Sequence, residues 1–134
     1  MGNSITFKIH HVGITVKDIE KAKETYKSLG AEVVNEVKDE KRKVHLCFMK
    51  INNGYIELVA PLSDDSPVSG FLSRNGSGTY HICYEADNID EAIDYLKSED
   101  FILIEKPNEA VLFDGKLVAF LYSKDVGLIE LIQK

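Results

Sequence analysis

Apolar and polar residues alternate through residues 8–16, with Val12, Ile14 and Val16 on one side and Ile9, His11, Gly13 and Thr15 on the other. A period of two predicts a strand. The period then changes. Asp18 is placed to cap a helix whose apolar face carries Ile19, Ala22, Tyr26 and Leu29, and Gly30 supplies its stop. Strand-like runs follow at 31–37, 43–51 and 54–60, with Asn52-Asn53-Gly54 as a hairpin turn. Pro61 ends the last run, and Ser66-Pro67 opens a short helix reaching about Arg74.

The same order of elements then recurs. A strand is predicted at 79–87, a helix capped by Asn88 and carrying Ile89, Ala92, Ile93 and Leu96, and strands near 101–105, 117–123 and 127–132, with Asp114-Gly115 as a turn. The recurrence is also one of residues. Residues 11–34 align without a gap to residues 81–104 at an offset of 70: His11 with His81, Asp18 with Asn88, Ile19 with Ile89, Ala22 with Ala92. Further on, Gly54-Tyr55-Ile56-Glu57-Leu58-Val59 matches Gly127-Leu128-Ile129-Glu130-Leu131-Ile132 at an offset of 73. Two matches in one order predict a duplicated βαβββ unit. The expected organisation is one domain over residues 1–134, with repeats at about 7–60 and 79–134 joined by a linker at 61–78.

Alternation places His11, Glu57, His81 and Glu130 on strand faces turned away from the helices. Duplicated units commonly pack as pseudo-symmetric copies, which would bring the four groups toward one cleft. Two imidazoles and two carboxylates suit nickel, cobalt, manganese, iron or zinc with open positions for water or substrate. His10 faces away from His11 and reads as structural, and His45 reads as a strand-surface residue.

Composition narrows the partners. With 44% hydrophobic and 28% charged residues, the chain has the balance of a globular protein. A net charge of −6 repels phosphate backbones, so nucleic acid is not an expected partner. No apolar run reaches the ~20 residues of a membrane span. Met1-Gly2-Asn3-Ser4-Ile5 lacks the basic and apolar regions of a secretory signal, so a cytoplasmic location is expected. Cys47 and Cys83 lie within apolar runs and read as buried, reduced thiols.

From His10-His11-Val12-Gly13-Ile14 to Ile129-Glu130-Leu131 the chain resembles the vicinal oxygen chelate superfamily (glyoxalases, bleomycin resistance proteins and dioxygenases). The resemblance implies an α+β fold in which paired βαβββ units form a cupped mixed sheet around a divalent metal. It also implies that His11, Glu57, His81 and Glu130 are the ligands, and that the molecule is a homodimer.

Two branches of the superfamily compete. Residues 56–85 look very like methylmalonyl-CoA epimerase. That branch, however, carries Glu-Gln-Gly before its third strand, with the Glu as base, where this chain has Asp39-Glu40-Lys41-Arg42-Lys43. It also carries Gly-Ala-His-Gly-Lys where Val111 to Lys116 keeps only Gly115-Lys116. The Asp-Glu-Lys-Arg-Lys-Val segment looks like compact glyoxalase I. The expectation is therefore a nickel- or cobalt-dependent lactoylglutathione lyase, with zinc or manganese as other metals. It would isomerise the hemithioacetal of methylglyoxal and glutathione through an enediolate, with Glu130 and then Glu57 as base. The alternatives are methylmalonyl-CoA epimerase and a non-catalytic sequestering protein. Residues 105–116 and the helix at 66–74 are the expected substrate walls, with Arg42, Arg74 and Lys116 facing an anionic small molecule.

Overall fold

A computed structural model describes residues 5–134; Met1 to Ser4, part of the stretch in which no secretory signal is read, lie outside the described residues. The described chain has eight strands and three helices of mixed α+β class. These are β1 (Phe7–Thr15), α1 (Ile19–Ser28), β2 (Glu32–Asp39), β3 (Val44–Ile51), β4 (Gly54–Pro61), α2 (Pro67–Asn75), β5 (Gly78–Ala86), α3 (Ile89–Ser98), β6 (Ile102–Glu109), β7 (Leu117–Ser123) and β8 (Gly127–Gln133). The repeated βαβββ order is the one the alternation predicts.

The chain packs as two compact units. One runs from His11 to Tyr80, and the other joins the chain up to His10 with His81–Lys134. In the first, the strand order is β2-β3-β4-β1. β1 and β4 pair in parallel with Gly13 opposite Glu57, and β3 and β4 pair antiparallel with Phe48 opposite Glu57. Val16, Ile19, Ala31, Cys47, Met49, Leu58 and Ala60 form the core between this sheet and α1. α2 buries Val68 and Leu72.

The second unit repeats the plan in the order β5-β8-β7-β6. β5 and β8 are parallel with Cys83 opposite Glu130, and β7 and β8 antiparallel with Phe120 opposite Glu130. Ala86, Ile89, Ala92, Ile93, Leu96, Leu121 and Leu131 make its helix-side core.

The predicted caps are formed. Asp18 accepts from the backbone N–H of Lys21, Asn88 from that of Glu91, and Ser66 from that of Val68. Three local expectations are corrected. Leu29 leaves the apolar helix face: α1 ends at Ser28, and Leu29 is the exposed cap residue before Gly30 at φ +93°. The strand expected at 101–105 runs on to Glu109, so the expected loop at 105–116 shrinks to a 3-10 turn, Val111–Phe113, and its flanks. His45 is no simple surface residue. Its ring lies 2.7 Å from Glu36, which also accepts from Lys23 of α1 at 2.8 Å, so the three tie β2 and β3 to the helix.

Candidate active site

Parallel pairing turns the alternation of each strand into a site. Gly13 sits opposite Glu57, and His11 lies two residues earlier on the same face of β1. The imidazole Nε2 of His11 therefore comes to 3.6 Å from Glu57 Oε1. The second unit repeats this. His81 lies two residues before Cys83, the partner of Glu130, and His81 Nε2 is 3.0 Å from Glu130 Oε1. All four side chains are buried, with relative exposures of 1% for His11, 5% for Glu57, 3% for His81 and 4% for Glu130.

Each pair lies against apolar neighbours. Phe48 meets His11 edge-on, with ring centroids 5.6 Å apart and planes at 88°. Phe120 meets His81 at 5.4 Å and 86°. Beside the second pair, Cys83 packs with Ala110, Val118, Ile132 and Phe113.

These donors fit a divalent metal. Nitrogen and oxygen ligands at about 2.0–2.2 Å from one ion stand roughly 3 to 3.4 Å from each other. The His–Glu separations of 3.0 and 3.6 Å fall close to that spacing. A buried carboxylate also carries a charge that apolar surroundings penalise, and a dication offsets it.

The remaining expected site residues are placed as follows. Asp39 Oδ1 accepts from the Arg42 backbone N–H, and Arg42 Nη1 donates to Asp39 Oδ2 at 3.0 Å, so the guanidinium is engaged in its own turn. Arg74 is exposed in the last turn of α2, and Lys116 is exposed just before β7. Glu40 is exposed in the turn between β2 and β3. Lys43, directly before β3, has φ 59°, the left-handed conformation that favours glycine. His10 sits edge-on to Phe113 at 5.3 Å, consistent with its structural reading. Cys47 and Cys83 are both buried thiols.

Sequence reasoning missed Phe48 and Phe120. Each stands opposite a Glu of the repeated strand, Phe48 across from Glu57 and Phe120 across from Glu130. Their place went unread because strand register is invisible in a single sequence.

The chain matches the profile of the Glyoxalase/Bleomycin resistance protein/Dioxygenase superfamily over residues 10–120. It is 42% identical over 132 residues to human mitochondrial methylmalonyl-CoA epimerase, covering 94% of this chain and 73% of that one. It is 38% identical over 130 residues to the ethylmalonyl-CoA/methylmalonyl-CoA epimerase of Cereibacter sphaeroides, covering 94% and 97%. Among solved structures, a Streptomyces coelicolor methylmalonyl-CoA epimerase variant in complex with 2-nitronate-propionyl-CoA superposes with a TM-score of 0.85 at 27% identity, covering 95% and 96%.

These similarities overturn the expected lactoylglutathione lyase. The glyoxalase, lyase and methylglyoxal reading gives way to the epimerase that stood as the alternative. The reason lies in what each signal can discriminate. The expectation rested on short departures at residues 39–43 and 111–116, whereas the similarity to epimerases extends over 94% of the chain. Among the described residues no helix is long and apolar enough to cross a membrane.

Proposed function

The chain belongs to the glyoxalase/bleomycin resistance protein/dioxygenase superfamily, and from that premise we propose that it is an acyl-CoA epimerase acting on methylmalonyl-CoA or a close 2-alkylmalonyl-CoA. The observation that carries this reading is the similarity to epimerases across 94% of the chain. The buried His–Glu pair present in each unit supports it.

The substrate carbon lies between a thioester and a carboxylate. Its C–H bond breaks when a carboxylate oxygen takes the proton, and the electron pair moves onto the thioester carbonyl oxygen as an enolate. Returning a proton to the opposite face of that carbon gives the epimer. We assign the removal to Glu130 and the second carboxylate role to Glu57. When bound, a divalent metal supplies positive charge where the enolate charge collects. We propose His11, Glu57, His81 and Glu130 as its ligands, with nickel or cobalt as the ion; their nitrogen and oxygen donors suit either. Glu57 and Glu130 are buried, which strengthens their electrostatic action on a bound substrate. Arg74 and Lys116 are proposed contacts for the anionic coenzyme. A homodimer is proposed, and light scattering at twice 15.0 kDa would support it.

The test is proton exchange. The protein is stripped of metal, restored with nickel, cobalt, zinc or manganese, and given methylmalonyl-CoA in deuterium oxide. NMR should show deuterium entering C2 together with epimerisation. Glu130→Gln should retain metal and lose on the order of a hundredfold or more in rate. No exchange with any restored metal would refute the epimerase reading. Full turnover by Glu130→Gln would refute the assignment of the base.

A further inference from the structure

We propose that Phe48 and Phe120 are positioning residues that hold the ligand imidazoles of His11 and His81 in the planes from which Nε2 reaches a metal. The proposal rests on the reading of those histidines as ligands. Three observations carry it. Each phenylalanine meets its histidine edge-on in nearly the same geometry, 5.6 Å and 88° for Phe48 against 5.4 Å and 86° for Phe120. Each also stands directly opposite the glutamate of the same pair, Phe48 across from Glu57 and Phe120 across from Glu130. And the arrangement occurs twice, once in each unit. Duplication alone would write the arrangement twice; its retention where the neighbouring position has diverged, Tyr55 in one repeat against Leu128 in the other, marks it out.

The physical need is specific. The ring torsion of histidine is broad and roughly two-fold, so contact of one ring nitrogen with a glutamate leaves the tilt of the ring plane weakly set. A perpendicular aromatic ring supplies that preference, because the positive edge of one ring favours the negative face of the other. An aliphatic side chain of similar volume fills the space without fixing the angle.

The two clamps differ behind the ring. Phe48 is buried and stacked on Tyr55, with centroids 5.1 Å apart and planes at 5°. At the matching place in the other repeat stands Leu128, and Phe120 is half-buried. Tyr55→Leu should therefore loosen His11 slightly and leave His81 unchanged.

The experiment compares Phe48→Leu, Phe120→Leu and the ring-conserving Phe48→Tyr and Phe120→Tyr. Nickel alone is titrated into each full-length protein by calorimetry, and the 15N signals of the metal-free histidines are recorded by NMR. Each Leu variant should bind nickel about tenfold or more weakly, as changes behind metal ligands do, with thermal unfolding still cooperative. The Tyr variants should recover most of the affinity. Phe48→Leu should shift or broaden only the His11 ring signals, and Phe120→Leu only those of His81. If a Leu variant does not fold, the Met variant replaces it. Wild-type affinity in the Leu variants, or histidine signals unmoved by them, would overturn the proposal. If the wild type binds no nickel, cobalt or zinc, the metal-ligand reading fails, and the metal-free histidine signals alone decide whether the rings are clamped.

Discussion

Leu58 and Leu131 stand one residue beyond the two site glutamates and are fully buried, each in the helix-side core of its own unit. Truncating either to alanine removes about three carbon groups from a closely packed wall. At about 0.8 kcal/mol per buried group the transfer loss is about 2.4 kcal/mol. A residual cavity adds on the order of 1 kcal/mol, so each variant should lose about 3 to 4 kcal/mol. For a domain of ordinary stability, about 5–15 kcal/mol, the protein remains folded but weakened. The chain has six tyrosines and no tryptophan, so urea unfolding is followed by tyrosine fluorescence and circular dichroism. With a slope of about 2 kcal/mol/M, the midpoint should fall by roughly 1.5 to 2 M. Nickel affinity measured without denaturant should stay within about two-fold, because alternate residues of a strand face opposite sides. A midpoint shift under about 0.5 M would refute the packing argument, since a closely packed leucine cannot be removed so cheaply. An equal fall in metal affinity would refute the insulation of the two faces.

Two further outcomes follow from the helix side of the first unit. Glu36 is held below its ordinary value of 4.5 by the Lys23 ammonium and by His45, so its folded value lies under its unfolded one. The stability it adds is present above pH 4.5 and is lost as pH falls through the lower folded value; the stability gap between wild type and Glu36→Gln should close over that acid range, and a gap constant with pH would contradict the network. Burial, assisted by Glu36, pushes the Cys47 thiol up to about 11, so it should stay inert to thiol reagents at pH 8 until the protein is unfolded. Rapid labelling of Cys47 in the folded protein at that pH would show that the core is open there.

The sequence alone determined the order of elements and the facing of His11, Glu57, His81 and Glu130. These are local properties: period-two alternation sets the face of a side chain, Asp18 and Asn88 cap their helices through backbone atoms three residues away, and duplication writes the same pattern twice. Strand adjacency and register were decided by tertiary structure. That Glu57 lies across from Gly13 rather than from another residue of β1 depends on contacts between segments more than forty residues apart, and no residue near either position encodes it. The same register placed Phe48 and Phe120 against the histidines, and turned His45 from an assumed surface residue into a partner of Glu36. The branch of the superfamily was also hidden from local reading. A His, Glu, His, Glu set reads the same whichever acyl substrate is bound, whereas a substrate is recognised by walls built from several distant segments, which no local pattern describes.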